Sequence, residues 1–281
     1  MFVANNKCMP VLVVKVGTST LTDRSGRVDR SFLIDLTSQL AARQQAGWSV
    51  ILVTSGAIRA GREALDSRTH ALPETASGKP ALDTNSLPFK QAAAAIGQGR
   101  LMHTYTEAFS WRNVDCAQVL LTREDIEDAR RLENARNTLR MLLSLGVIPI
   151  INENDTVAVD EIKFGDNDNL AAMVARLIEA DLLLILSDVE GLFPNGGPRA
   201  EDATPIPLVT KVDSVIQAMA GGETSMGGTG GMRTKIEAAR LATEAGIKTV
   251  IARGRRPQVV EDVALGSVVG TTFLPQTHSE N

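Results

Sequence analysis

Cysteine is almost absent from this chain of 281 residues: Cys8 and Cys116 are the only two, far apart and in no CxxC pair. A disulfide framework needs more of them in a shorter chain, so a reducing, cytoplasmic setting is expected. Histidine is nearly as scarce, and His70, His103 and His278 offer no obvious general base. Long apolar runs are missing too. The longest uncharged one in the middle, residues 182–186, falls far short of the ~20 residues that a membrane-spanning helix requires. The opening MFVANNKCMP has no apolar h-region, so no signal peptide is expected. Basic charge is not in excess: 29 Lys and Arg against 33 Asp and Glu leave a formal −4, which argues against a chain that coats nucleic acid or anionic membrane. No fixed-period repeat or low-complexity tract appears. With 43% hydrophobic and 22% charged residues the balance is that of a globular protein, large enough for one large domain or two small ones.

What is present alternates between two periods. Residues 11–16 (VLVVKV) form a β-branched run that ends at Gly17, the pattern of a buried parallel strand before a tight turn, with Lys15 out of place in it. Phe32, Leu33, Leu36, Leu40 and Ala41 recur at helical spacing between residues 30 and 46, and Gly47 supplies a stop. A strand over 49–54 then leads into a helix over 57–65. Residues 66–88, with Pro73, Pro80, Pro88 and Gly78, read as a long exposed loop. Beyond it the pattern predicts a helix over 90–111, a strand over 114–120 and one helix ending near Gly146, opened by a variant capping box of Thr122 and Asp125. A strand over 147–151 precedes a polar stretch with a short hairpin candidate, and a helix begins near Asn169. Strand 182–186, helix 212–220, helix 232–245, strand 249–252, a short helix after Pro257 and strand 271–274 complete the chain. Strand and helix in alternation predict an α/β fold with a parallel sheet in a single unit.

In open α/β sheets ligands bind beyond the carboxyl ends of the strands, where helix N-termini offer unpaired N–H groups. Four loops qualify. Lys15, one residue inside a strand end, costs desolvation unless an anion meets it, although an edge-strand lysine reaching water would explain it equally. In VTSGAI, Gly56 lets backbone approach a ligand and Ser55 can donate its hydroxyl, or simply cap a helix; no G-x-S-x-G surrounds it. The stretch from Asn152 to Asn169 gathers Asn152, Glu153, Asn154, Asp155, Asp166, Asn167, Asp168 and Asn169, more than caps and Asx-turns need. Such groups suit a ligand ammonium and can orient lysines, whereas the D-x-D-x-D-G spacing of an EF-hand is absent. GGTGGMRTK exposes several N–H groups before a helix, with Thr229 and Lys235 nearby, which is phosphate-binding chemistry. It is neither a Walker A motif nor a Rossmann fingerprint. Finally, Ser187 and Asp188 follow the most apolar strand, where a nucleotide edge could be read or a plain turn could sit.

Taken in order, VKVGTS, VTSGAI, INENDTV, KFGDNDNLAA, LSDVEGL and GTGGMRTK resemble the amino acid kinase family, and within it the glutamate 5-kinases, from about Val11 to Leu274. The INEND and GDNDN pair discriminates best, because acetylglutamate, aspartate, carbamate and UMP kinases share the layout but differ in those loops. The resemblance implies a three-layer αβα sandwich with a mainly parallel open sheet. It implies transfer of the ATP γ-phosphoryl to the side-chain carboxylate of L-glutamate, giving L-glutamyl 5-phosphate at the start of proline biosynthesis. By position, Lys15 and Lys235 would neutralise the transferring phosphoryl and Asp168 would hold the two lysines. Ser55, Asn152, Asp155 and Asn167 would bind glutamate. Lys15, Ser187, Asp188, Thr229, Gly230, Gly231, Met232, Arg233, Thr234 and Lys235 would line the ATP site, with Mg²⁺ held mainly by phosphate oxygens and no metal site built by the protein. A carboxylate acceptor with a pKa near ~4.3 is already ionised at pH 7, so the lack of a well-placed histidine is consistent with this chemistry.

The resemblance also sets expectations for organisation. A kinase domain over 9–275 and a short tail over 276–281 are expected, without the C-terminal PUA-type domain that many members carry, since the chain stops soon after GTTFLPQ. Loop 66–88 is longer than the family usually has. The implied partners are L-glutamate and ATP, proline as a feedback inhibitor, further copies of the chain in a dimer or tetramer, and glutamyl 5-phosphate reductase as recipient of the product. Two other readings stand beside this one: a sister kinase acting on acetylglutamate, aspartate, carbamate or UMP, and a non-catalytic amino-acid or nucleotide sensor. A sensor could dispense with the charged trio, and here Lys15, Asp168 and Lys235 are all present.

Overall fold

A computed structural model of the chain describes residues 9–70, 82–157, 167–194, 204–220 and 231–276. Its elements run β1 (Val11–Val16), α1 (Thr18–Leu21), α2 (Arg30–Gln45), β2 (Ser49–Val53), α3 (Ala57–His70), α4 (Leu87–Ser110), β3 (Cys116–Leu121), α5 (Arg123–Glu127), α6 (Ala129–Ser144) and β4 (Ile148–Glu153). They continue with α7 (Asn167–Leu177), β5 (Leu182–Ser187), β6 (Leu208–Val209), α8 (Ser214–Met219), α9 (Met232–Glu244), β7 (Lys248–Arg253), α10 (Val259–Ala264) and β8 (Thr271–Phe273). Among the described residues no helix is long and apolar enough to cross a membrane.

The strands form one sheet in the order β3-β4-β2-β1-β5-β7-β8-β6. Every neighbouring pair is parallel except β7 with β8. From β1 the chain moves toward β2 and the β3 edge, and from β5 toward β7 and the β6 edge, so the order reverses between β1 and β5. That reversal opens the crevice in which α/β proteins bind ligands.

Strand periodicity divides the sheet into two apolar faces. Val13, Ile51, Val53, Ile151, Leu183, Ile185 and Ile251 point to one face, where Leu139 of α6, Leu170 to Leu177 of α7 and Ile236 to Ala242 of α9 cover them. Leu12, Val14, Val16, Val50, Leu52, Ile150, Leu184 and Val250 point to the other, under α2, α4 and α10. Both faces of the central strands are covered, which explains why VLVVKV and LLLIL lack polar alternation. The result is a three-layer αβα sandwich around a mainly parallel open sheet, as the family resemblance implies.

Element boundaries differ from expectation where caps intervene. Residues 123–144 form two helices because Asp128 ends α5 and caps α6, leaving the helical φ/ψ region while its side chain accepts from Arg131 N at 2.8 Å. The Thr122 capping box itself is present, with Asp125 Oδ2 accepting from Thr122 N at 2.8 Å. Helix α4 starts at Leu87, taking in Pro88, because proline is well suited to a first helical turn. Helix α3 runs to His70, five residues past its expected end, and the central part of the expected loop, residues 71–81, lies outside the described residues. The hairpin candidate lies outside them as well.

Candidate active site

Residue parity in β1 places Lys15 on the α7 and α9 face, the same side as Val13. There its ammonium meets the carboxylate of Asp168, in the first turn of α7: Lys15 Nζ lies 2.5 Å from Asp168 Oδ1. The other carboxylate oxygen takes Lys235 Nζ, from the first turns of α9, at 3.1 Å. Asp168 is fully buried and Lys15 is 2% exposed, so this trio is withdrawn from water at the carboxyl ends of the central strands. Charges there persist because they are paired. Thr234 contributes a third contact to Asp168: its hydroxyl lies 2.9 Å from Asp168 Oδ2 and 2.9 Å from the Gly231 carbonyl. The structure thus brings together Lys15, Asp168 and Lys235 and adds Thr234 to their grouping. The lysine out of place in an apolar strand owes its position to Asp168, with no route to solvent along the sheet edge.

A second polar cluster assembles beside it from β2, β4 and α7. Asn167, one residue before Asp168, donates from Nδ2 to the Thr54 carbonyl at 2.6 Å, to Ser55 Oγ at 2.9 Å and to Asn152 Oδ1 at 2.9 Å. Asn152 Oδ1 also accepts from Glu153 N at 2.9 Å. Gly56 follows Ser55 with φ +97°, a left-handed conformation that turns the chain from β2 into α3 and that side chains with a Cβ adopt at a cost. Three of the four residues expected to bind glutamate, Ser55, Asn152 and Asn167, therefore touch one another. Asp155 lies in the turn two residues past β4, half-buried.

Helix α4 completes this cluster. Even-numbered positions at the ends of β2 and β4 face the α4 layer, and from there Gln98 Oε1 accepts from Asn152 Nδ2 at 2.9 Å while Tyr105 shares a hydrogen bond of 2.8 Å with Thr54 Oγ1. Burial pushes the Tyr105 phenol well above its usual pKa, partly offset by Thr54, and keeps it neutral. The sequence reading missed Gln98 and Tyr105. Their signal was their spacing: with Ala94, Leu101 and Ala108 they occupy the stripe that a buried helix face requires.

The expected nucleotide loops are placed in part. Ser187 ends β5, buried, with its hydroxyl 3.2 Å from Asp188 Oδ1, and Asp188 is exposed beyond it. Gly231 caps α9, followed by half-buried Met232, exposed Arg233 and half-buried Thr234. Thr229 and Gly230 lie outside the described residues. Among the described residues no group of three or more His, Cys, Asp or Glu side chains comes together in a metal-binding arrangement, and both oxygens of Asp168 face ammonium groups.

A cavity of about 790 Å³ opens elsewhere, lined by Arg27, Arg59, Arg62, Glu63 and Asp66 between the turn before α2 and the start of α4. None of the expected site residues lines it. Size alone does not make it the reaction site, because the buried charges and converging polar groups are at the strand ends.

Two buried ammonium groups held by one carboxylate, next to a cluster of amide and hydroxyl groups, can neutralise a transferring phosphoryl and orient a small polar acceptor without supplying a base. The amino acid kinase family model matches residues 10–253, and the chain belongs to that family. Within it, a glutamate 5-kinase from Moorella thermoacetica is 49% identical over 267 residues, covering 95% of this chain and 67% of that protein. A glutamate 5-kinase from Geobacter sp. (strain M21) is 47% identical over 271 residues, 96% of this chain and 69% of that one. Among solved structures, a carbamate kinase from Giardia lamblia bound to AMP-PNP aligns with a TM-score of 0.68 over 96% of this chain and 99% of its own, at 18% identity, a likeness of fold.

Proposed function

We propose that this chain is an ATP-dependent kinase that phosphorylates the side-chain carboxylate of L-glutamate, giving L-glutamyl 5-phosphate in the first step of proline biosynthesis. The observation that carries the reading is the juxtaposition of the Lys15, Asp168 and Lys235 trio with the Ser55, Asn167 and Asn152 cluster at the carboxyl ends of the sheet. Similarity of nearly half the residues to glutamate 5-kinases over almost the whole chain selects the acceptor.

In the reaction a glutamate carboxylate oxygen forms a bond to the γ-phosphorus as the bond from that phosphorus to the β,γ-bridging oxygen breaks, and ADP leaves. No proton needs to be removed from an ionised acceptor. Lys15 and Lys235 stabilise the charge on the phosphoryl oxygens, and Asp168 fixes both ammonium groups before substrates arrive, so little reorganisation is left for the reaction step. Ser55, Asn152 and Asn167 offer hydroxyl and amide groups to the amino acid, and Asp155 offers a carboxylate to its ammonium. Ser187, Asp188 and the segment 231–235 line the nucleotide side, where the α9 N-terminus suits phosphate. Magnesium enters with ATP and shields its phosphate charge. With this reading go a cytoplasmic setting, assembly as a dimer or tetramer, inhibition by proline and consumption of the acyl phosphate by glutamyl 5-phosphate reductase.

Incubation with MgATP, L-glutamate and hydroxylamine tests the reading. A hydroxamate should accumulate in proportion to ADP. Turnover of aspartate, acetylglutamate, carbamate or UMP in place of glutamate would overturn the acceptor, and saturable binding with no ADP release would point to a sensor.

A further inference from the structure

The amides of Gln98, Asn152 and Asn167 form a relay whose direction is fixed by the backbone. The Thr54 carbonyl can only accept, so Asn167 must present Nδ2 to it. The Glu153 N–H can only donate, so Asn152 must present Oδ1 to it. With those two orientations set, Asn152 Nδ2 points toward α4, and Gln98 must offer Oε1 to meet it. The far end of Gln98 bears the consequence: among the described residues Nε2 is buried with no hydrogen-bond partner, and so is Oδ1 of Asn167 at the opposite end of the relay. Turning over the Gln98 amide would set two NH₂ groups against each other. A buried donor left unsatisfied costs stability, and such groups persist where the arrangement serves another requirement.

We infer that Gln98 is a positioning residue for the acceptor amino acid, acting through Asn152 on the orientation of Asn167 and Ser55. The inference rests on the kinase reading above and extends it to a residue that lies on α4, outside every loop that carries a family motif. Gln98 is 8% exposed and reaches the cluster through its hydrogen bond with Asn152. Its oxygen holds the Asn152 amide so that Oδ1 faces Asn167, and Asn167 in turn faces the Ser55 hydroxyl. Groups that hold the acceptor equally before and during transfer contribute mainly to KM, whereas the lysine trio contributes to kcat.

The test is steady-state kinetics of the full chain with Gln98→Met, which keeps length and removes both polar ends, and Gln98→Glu, which keeps an acceptor oxygen in an isosteric group whose burial favours the neutral acid. Gln98→Met should raise KM for glutamate about tenfold, the loss of one buried hydrogen bond, with kcat and the KM for ATP moving less. Gln98→Glu should recover most of that loss. The inference is overturned if the Met variant leaves KM for glutamate within twofold, if both KM values rise together, or if Gln98→Glu behaves like Gln98→Met. Absence of glutamate turnover in the unmodified chain would instead remove the kinase reading itself.

Discussion

At the scale of single residues, the buried trio has an asymmetry that separates catalysis from stability. Lys15 and Lys235 share one carboxylate, so the three groups carry a formal +1 (two ammonium groups less one carboxylate). Lys235→Met leaves Lys15 and Asp168 as a neutral pair, and thermal stability should hold or rise. Turnover should fall on the order of 10²- to 10³-fold or more, because an ammonium aimed at the transferring phosphoryl is gone. Asp168→Asn does the reverse to the fold by leaving two buried ammonium groups without their shared carboxylate, a loss of about 3–5 kcal/mol. Calorimetry and hydroxamate kinetics on both variants would check the pair; a Lys235→Met protein that keeps its turnover would refute the role of Lys235. The sequence shows these residues but not their union. Lys15 stands out because a charge interrupts an apolar strand, whereas Asp168 sits among eight acidic and amide residues of similar appearance, and only the fold brings α7 and α9 to one strand end.

At the scale of elements, the contribution of α4 was hidden for a physical reason. In KQAAAAIGQGRL a glutamine between glycines looks like a solvent-facing residue although its spacing from Ala94 and Leu101 puts it on the buried stripe, and the close approach of helices that brings it beside Asn152 is not recorded in local sequence. A Cβ added at Gly97 would sit 1.8 Å from the Ala57 carbonyl oxygen and 2.4 Å from Gly61 N, and one added at Gly61 would sit 1.8 Å from the Ala93 carbonyl oxygen. Backbone therefore meets backbone where α3 crosses α4, and the adjacent Gln98 is driven toward the end of β4. Gly97→Ala must push the helices apart, with an expected loss of about 1–3 kcal/mol and a raised KM for glutamate as Gln98 moves away from Asn152. Gly99 is the matched control, since a Cβ there meets nothing within 4 Å. Gly99→Ala should add about 0.5–1 kcal/mol through helix propensity and leave KM unchanged. Equal behaviour of the two variants in a denaturant melt would show that the helix crossing is not close-packed. The central strands β1, β2 and β5, by contrast, were legible almost to the residue, because burial on both faces leaves β-branched and leucine-rich runs that end at glycine, threonine or serine, whereas the two-residue edge strand β6 has no such run and was missed.

At the scale of the whole molecule, one sheet serves two apolar layers, and that ties the halves of the sandwich into one cooperative unit. Central strands alternate their allegiance: in β5, Leu184 packs with the α2, α4 and α10 layer, while Ile185 packs with α6, α7 and α9. Neither layer can dissolve while the other keeps the strand in place, because peeling off the helices on one face strips the apolar side chains of that face without releasing the ladder that holds the other. The site depends on the same coupling, since Lys15 projects from β1 into one layer while Gln98 and Tyr105 reach strand ends from the other. Leu184→Ala and Ile185→Ala should each cost about 2–5 kcal/mol as large-to-small core changes. Both should displace a single calorimetric endotherm, and loss of glutamate turnover on heating should track that same transition. Were the layers independent, each variant would instead split a lower-temperature peak from an unchanged remainder, and activity would follow only one of them.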